Sequence, residues 1–452
     1  MTKRSLMFPA VFALVAVPAI LGFAGVDDRA HDLDRIGRRG QRAVMALFGL
    51  RRASAQEDAG PYAAYREALA VLKRDYYPTA IGEKKTRDLT YAAIEGMLNS
   101  LNDPFTSFLD PDEWLQMQQN TQGSFEGIGA VLEPIVRDVR VVRPIPDSPA
   151  FRAGLRSGDI ILSVGTHNTT TGALIKTTPT LGKRIDEVVK LIKGPRGTKV
   201  TITVMRKGVN KPLSFVLTRA HIEPPTVRYW MEDTTNHIGH IVLSEFNEKS
   251  DQQFDSAVNN LLRQGMKALV FDLRYNPGGL LNVAVDIGSR FVDRGAVVIV
   301  QEKNGQQHKL MARSSQRRLK GIPLVVLVNE NSASASEIVA GAIKDHGLGT
   351  LVGEHTFGKG LVQTLFPLGD RSALRLTTAK YFTPSGRDIN NRYDDEHRTI
   401  FGTGGIKPDM VVEQSKDWVE QDFDDKAHDV QLKAALDLLR SRLASAQARA
   451  AR

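Results

Sequence analysis

Residues 322–328 read IPLVVLV, with no polar side chain on either alternating face. A strand apolar on both faces is covered on both faces, as in the interior of a parallel sheet between helices. The neighbouring sequence repeats the pattern. KALVFDLRYNPGG (267–279) reads as a second buried strand that ends in a glycine turn, and further strands fit HIGHIVLSEF, AVVIVQE, GTLVGE, LVQTLFPL and ALRLTTAKYF. Helical spacing of apolar residues appears between them, at 251–264, 282–293 and 334–345. Strand and helix in alternation define an α/β layer domain, assigned to residues 223–415.

A chain of 452 residues holds more than one core. Residues 62–77 place Tyr65, Leu69, Leu72 and Tyr76 at helical spacing, and 90–101 read as a second helix. Asp103-Pro104 and Asp110-Pro111 then read as chain breaks, which closes an N-terminal helical region at 61–112. From Phe125 the runs shorten and become β-rich, with one helix at 185–192 and a Gly194-Pro195-Arg196-Gly197 turn, so 113–222 form a β-rich module. Residues 26–60 form a basic linker, and 416–452 an Ala/Leu/Arg-rich helical tail.

Cysteine is absent, which excludes disulfides, thiolate catalysis and cysteine-ligated zinc. The net charge is +9, and part of the excess is local: residues 26–55 carry seven arginines against four aspartates. A basic stretch there fits a juxtamembrane segment better than nucleic-acid binding. Lys3 and Arg4 precede a charge-free apolar run at 6–25, long enough to span a bilayer. Anchor and signal peptide share this layout, and Ala53-Ser54-Ala55 offers a distant cleavage site. Both readings export the remainder, so the expected location is extracytoplasmic: the periplasm, with residues 6–25 as a possible tether to the inner membrane.

Two segments of the α/β domain carry chemistry. The 322–328 strand runs into Asn331-Ser332-Ala333-Ser334-Ala335-Ser336-Glu337 and then a helix. A serine at that junction has its hydroxyl at the sheet edge beside helix N-terminal amides, which suit an oxyanion. Ser334 with Glu337 also fits a helix capping box, and the segment alone supports both readings. Lys359 stands between glycines in TFGKGLVQ. A lysine whose pKa is lowered by burial serves a serine as general base, whereas a hairpin-turn lysine is merely solvated. Gly353-x4-Gly358-Lys359 resembles a phosphate loop but has Gly360 where a Ser or Thr belongs. His346 or His355 as base to Ser334 would lack the G-x-S-x-G elbow. His237 and His240, at i,i+3 beside Glu232 and Asp233, point to opposite faces of a strand and make a poor metal site.

PLVVLVNENSASASEIVAGAIKDHG followed by GTLVGEHTFGKGLVQT resembles the carboxy-terminal processing proteases, or tail-specific proteases. DLRYNPGG (272–279), YFTPSGRDI (381–389) and GIKPDMVV (405–412) extend the resemblance, and SFEGIGAVLE with PDSPAFRAGLRSGDIILSV is similar to that family's PDZ domain. The likeness covers about residues 60–440. It implies a multidomain fold: a PDZ-like domain, a crotonase/ClpP-like α/β protease core and flanking helical segments. It also implies a serine endopeptidase of the cell envelope. Ser334 is then the nucleophile, Lys359 the general base and Gln363 the residue that orients the lysine, with Asp345 as a possible auxiliary acid. The backbone amides of Ala335 and Gly279 become the oxyanion donors. Alternation on a strand puts Gln363 on the same face as Lys359.

In the PDZ domain, Gly127, Ile128, Gly129 and Ala130 form the turn expected to hold a peptide's terminal carboxylate through backbone amides. The chain departs from the family at 165–184, a connection longer than usual and long enough to fold over the groove. Expected partners are proteins or peptides with free C-termini, an adaptor protein, and a second copy of the chain through the terminal helices. Nucleic acid, metal and cofactor are not implied. The competing class is an idle PDZ scaffold, which would lack Ser334, Lys359 or Gln363; all three are present.

Overall fold

A computed structural model of the chain describes residues 60–313, 319–394, 399–400, 402–415 and 428–450. The apolar run 6–25 and most of the basic linker lie outside the described residues. The chain divides into two compact units, one ending at Phe108 and the other beginning at Leu109.

The first unit carries helices Pro61–Asp75 and Glu83–Asn99. The second of these starts earlier than its apolar spacing suggests, because EKKTRD supplies good helix formers without an apolar period. Leu98 is buried, while Val71, Leu72, Tyr76 and Met97 stay exposed.

The second unit opens with a helix where a chain break was expected. Asp110 accepts the N–H groups of Asp112 and Glu113, each at 2.8 Å, and Glu113 Oε2 accepts the Asp110 N–H at 3.0 Å. With Pro111 in the first turn this capping box starts the helix Pro111–Gln122, so the Asp-Pro pair opens a helix instead of ending one.

The β-rich module follows the expected pattern. Strands Ala130–Ile135, Asp138–Pro144, Ile160–His167, Lys199–Met205 and Leu213–Thr218 pair antiparallel in that order. Helix Ile185–Ile192 buries Val188 and Ile192 against Val139, Val141, Val164, Val200 and Ile202. The 165–184 connection does not cover a groove. Its strand Leu174–Pro179 pairs with Ile160–His167, from Ser163 opposite Pro179 to His167 opposite Leu174. β-Branched threonines and a ladder partner hold it in the sheet, where its side chains are largely exposed.

The α/β core has a sheet in the order Val227–Asp233, Ile238–Leu243, Ala268–Asp272, Leu324–Val328, Thr350–Gly353, Met410–Val411. The first pair is antiparallel and the rest parallel. Leu324–Val328 is buried throughout, as its composition requires. Helices Ser250–Arg263, Leu281–Gly288 and Ala335–Asp345 contribute Phe254, Leu261, Ile287, Val339 and Ile343 to the core that includes Leu269, Phe271 and Val326. Helix Val430–Ala450 lays Leu432, Ala435 and Leu439 against Ile238, Val270, Val325 and Leu327 from the other face. A second sheet places Ala296–Glu302 between Gln307–Met311 and Ala373–Phe382, with Leu361–Pro367 paired to the last of these.

Candidate active site

Three neighbouring parallel strands deliver the expected site residues at their carboxyl ends. Ala268–Asp272 leads into Asn276-Pro277-Gly278-Gly279, Leu324–Val328 into Ser334, and Thr350–Gly353 into Lys359. Ser334 immediately precedes the helix and has φ 58° and ψ −115°, a conformation that costs an L-residue about 1–3 kcal/mol. It has the strained strand-to-helix form of a nucleophile elbow without that motif's glycines, whose places two residues to either side are taken by Ser332 and Ser336. Half of the capping box forms. Glu337 Oε2 accepts the Ser334 N–H at 2.8 Å, while the fully buried Ser334 hydroxyl has no hydrogen-bond partner among the described residues. The capping reading therefore fails for the one oxygen it needed.

The flanking serines are tied down. Ser332 Oγ donates to Leu273 O at 2.8 Å, and Ser336 Oγ donates to Asn276 O at 2.8 Å. Asn276 O also accepts the Ala333 N–H at 3.0 Å, so the 276–279 turn and the serine loop are joined edge to edge. Gly278 has φ 105°, and a Cβ there would lie 2.7 Å from Ser334 Cβ and 2.9 Å from Ala335 N. No residue but glycine permits that approach. Phe246 grips the turn from outside by donating its N–H to Gly278 O and accepting the Leu280 N–H. The Ala335 and Gly279 N–H groups donate to no acceptor among the described residues.

Glu337 connects this assembly to the lysine loop. It is fully buried and takes four donors: Thr356 Oγ1 (2.6 Å) and Gly358 N (2.7 Å) on Oε1, Ser334 N (2.8 Å) and Lys359 N (2.9 Å) on Oε2. Burial pushes its carboxyl pKa up against the pull of these donors. Tyr381, also fully buried, donates its hydroxyl to Lys359 O and lies close to Ser334. Burial, and next the Glu337 charge, raise its phenol pKa well above the ordinary value, so it stays a neutral donor. Lys359 itself is buried. Gln363 is fully buried; its Nε2 donates to Thr377 Oγ1 at 3.0 Å, and its Oε1 is a buried acceptor with no partner among the described residues. Strand alternation does not relate Gln363 to Lys359: the strand begins at Leu361, and a register shift separates Val362 from Gln363. Asp345 stands at the far end of the helix, ten residues past Ala335 and about 15 Å along the axis, where it accepts the Ser385 N–H. His346 Nε2 bonds Ala296 O and His355 Nδ1 bonds Thr356 O, so each has one ring nitrogen committed to a backbone carbonyl.

Glu337 enters the sequence reading only as a capping partner, and Tyr381 only as the first residue of the YFTPSGRDI stretch, with no role of its own. The S-x-x-E spacing was the signal for the first. The second carried none, because its role depends on a strand pairing between Tyr381 and Gly360.

In the β-rich module, Gly129 has φ 75° and its carbonyl accepts Ile145 N (2.9 Å) and Ser148 Oγ (2.8 Å). Ile128 O accepts Ala150 N at 2.8 Å. With both carbonyls committed, the Ile128 and Gly129 N–H groups donate to nothing among the described residues. They open on a cavity of about 140 Å³ lined by Leu132, Ile185, Val189, Ile192 and Lys193 with the 127–130 turn. Residues 165–184 do not line it.

The fold and site define a serine peptidase that carries a PDZ domain. A family model for peptidase family S41 matches residues 237–412, and a PDZ-domain model matches 140–206. The carboxyl-terminal-processing protease of Synechocystis sp. is 36% identical over 359 residues, 78% of each chain. That of Bartonella bacilliformis is 38% identical over 349 residues, 75% of this chain and 73% of its own. The carboxy-terminal processing protease CtpA of Bacillus subtilis is 35% identical over 348 residues, 77% and 68% respectively. The chain belongs to peptidase family S41 and, within it, to the carboxyl-terminal-processing proteases.

Proposed function

We propose that this protein cleaves polypeptides at Ser334 with Lys359 as general base, after its PDZ domain takes the substrate's free C-terminus on the 127–130 turn. The observation that carries the reading is the Ser334 hydroxyl: buried, unpartnered, and on a strained residue at the strand-to-helix junction. Neutral Lys359 accepts the Ser334 proton as Oγ attacks the peptide carbonyl. The two amides hold the oxyanion, and one good donor of this kind contributes about 2.7–4 kcal/mol. The lysine then gives its proton to the leaving amine, and a water activated by the same lysine hydrolyses the acyl-enzyme. Gln363 Oε1, an acceptor otherwise unsatisfied, orients the ammonium between these steps. Asp345, tied to the 383–387 turn, is assigned a structural part.

The decisive comparison is Ser334→Ala against Ser332→Ala and Ser336→Ala. The first is expected to abolish peptide cleavage with the fold intact. A base that must be neutral also makes activity rise with pH through one ionisation, which Lys359→Met removes and His346→Ala and His355→Ala leave in place. Turnover by Ser334→Ala near the wild-type rate would sink the assignment.

The exported location belongs to the same proposal. Residues 6–25, behind Lys3 and Arg4, carry the chain into the periplasm as a signal peptide or an anchor at the inner membrane. A C-terminal fusion to a reporter that works only in the cytoplasm is expected to be silent, and an active fusion would refute it. Self-association through the exposed apolar face of the helices at 61–99, and activation by an adaptor, complete the expected set of partners.

A further inference from the structure

The turn that supplies Gly279 is anchored from behind by a buried ionic network outside the reacting groups. Arg274 is fully buried, and all five of its N–H donors are engaged. Nε and Nη2 donate to Asp272, at 3.0 and 2.7 Å. Nη2 and Nη1 donate to Asp429 at 2.8 and 2.9 Å, and Nη1 to Gln431 Oε1 at 3.2 Å. Asp272 is shared with the buried His240, whose other ring nitrogen bonds Glu232. Asp429 and Gln431 come from the C-terminal helix. Asp429 caps it by accepting the Leu432 N–H at 2.9 Å, and Gln431 Nε2 donates to Val412 O.

Arg274 is two residues upstream of Asn276 and is followed by Tyr275 at φ 59°, a strained position for an aromatic residue. Strain of this kind persists only where the surroundings over-determine the backbone. On the near side, Asn276 does so by donating to Leu243 O and accepting the Gly278 N–H. On the far side Leu273 is held by Leu327 O and Ser332 Oγ, Asn329 accepts the Tyr275 N–H, and the guanidinium of Arg274 adds the anchor that reaches the C-terminal helix. We propose that Asp429 is a positioning residue that holds the 276–279 turn in register through Arg274, so that the docked C-terminal helix is part of the active site. A guanidinium deprived of one of two bidentate carboxylates in a dry interior swings to find another acceptor, and the backbone that bears it moves with it.

The inference rests on the oxyanion role given to Gly279. It is tested with Asp429→Asn, Asp429→Glu and Leu439→Ala in the full chain. Leu439→Ala weakens the helix's apolar docking without touching Arg274. Asp429→Asn is expected to lower kcat at least about tenfold with KM within about twofold, and Asp429→Glu to recover part of the loss. Leu439→Ala is expected to melt at least as early while keeping kcat within about twofold. Retained kcat in Asp429→Asn, or an equal loss in Leu439→Ala, overturns the proposal. Should Asp429→Asn fail to fold, Gln431→Leu removes a single acceptor and is expected to lower kcat about threefold; an unchanged kcat there is equally fatal. Full activity of Asp429→Asn beside a dead Ser334→Ala refutes the coupling alone, whereas an active Ser334→Ala refutes the site on which it rests.

Discussion

Glu337→Gln is the sharpest perturbation the site offers, because it keeps the shape and removes one acceptor. Each carboxylate oxygen takes two donors, so a glutamine must turn its NH2 toward one donor pair. Turned toward Ser334 and Lys359 it strands two backbone N–H groups. Turned toward Thr356 and Gly358 it strands one, since the Thr356 hydroxyl can rotate. The cheaper choice leaves one buried N–H unsatisfied, about 1–3 kcal/mol, and weakens the remaining bonds from charge-assisted to neutral. Against this, burial already raises the Glu337 pKa, so the neutral amide recovers desolvation that the carboxylate forfeits. The fold should therefore lose only about 1–2 kcal/mol, a fall in Tm of about 2–8 °C. The activity loss is larger. The Gly358-Lys359 loop is released from the serine loop, and a misplacement of about 1 Å costs about a hundredfold, equivalent to about 2.7 kcal/mol. Steady-state cleavage of a free-acid peptide, paired with a thermal melt, is expected to show kcat/KM down about a hundredfold with that modest Tm shift. A kcat/KM within about threefold of wild type would refute the claim that this carboxylate fixes the lysine loop.

Two further outcomes follow from the structure. The carboxylate role proposed for the 127–130 turn predicts that amidating a peptide's C-terminus weakens processing about tenfold or more, since a charge-assisted bond is worth about 1.5–3 kcal/mol; equal rates for both peptides would sink it. His240 is pulled down by burial but raised more by its bonds to Asp272 and Glu232, and a raised folded pKa gives stability that is full below the unfolded value of about 6.5 and lost as pH climbs through the folded one. The wild-type Tm should thus decline above about pH 6.5, and His240→Gln should flatten the slope; an unchanged slope would show that the imidazolium does not bear on the fold.

What was legible in the sequence was whatever depended on local period. The apolar run at 322–328 is a fully buried strand, the helix read at 185–192 has those bounds, and that read at 251–264 runs Ser250–Arg263. Helix Pro111–Gln122 was hidden because DEWLQMQQNTQ has too little apolar content to show a period, and its capping box was masked by an Asp-Pro that reads as a break. Val227–Asp233 and Gln307–Met311 are edge strands whose mixed polarity looks like loop. The site divides the same way. Ser334, Lys359 and the 276–279 turn are singled out mainly by the family resemblance, since the serine segment alone also fits a helix cap and the lysine segment a solvated turn. The four bonds of Glu337, the shift before Gln363 and the pairing of Arg274 with Asp429, 155 residues away, exist only once the strands are paired.

That pairing also explains the order of parts along the chain. Ala268–Asp272, Leu324–Val328 and Thr350–Gly353 are adjacent and parallel, so their exits lie on one edge about 4.8 Å apart. The 276–279 turn, Ser334 and the Lys359 loop therefore leave the sheet side by side without a long connection, at the edge where open α/β folds place ligands. The closeness has a steric consequence at Gly278, whose missing Cβ is filled by Ser334 Cβ, Ala333 O and Ala335 N, all within 2.9 Å. Any side chain there must push the turn off the serine loop, and it would break the Asn276 O contacts to Ala333 and Ser336 that hold both in place. The strain at Ser334 and the glycine's closeness are one feature: Ser334 can hold φ 58° because the turn packed against it leaves the backbone nowhere else to go.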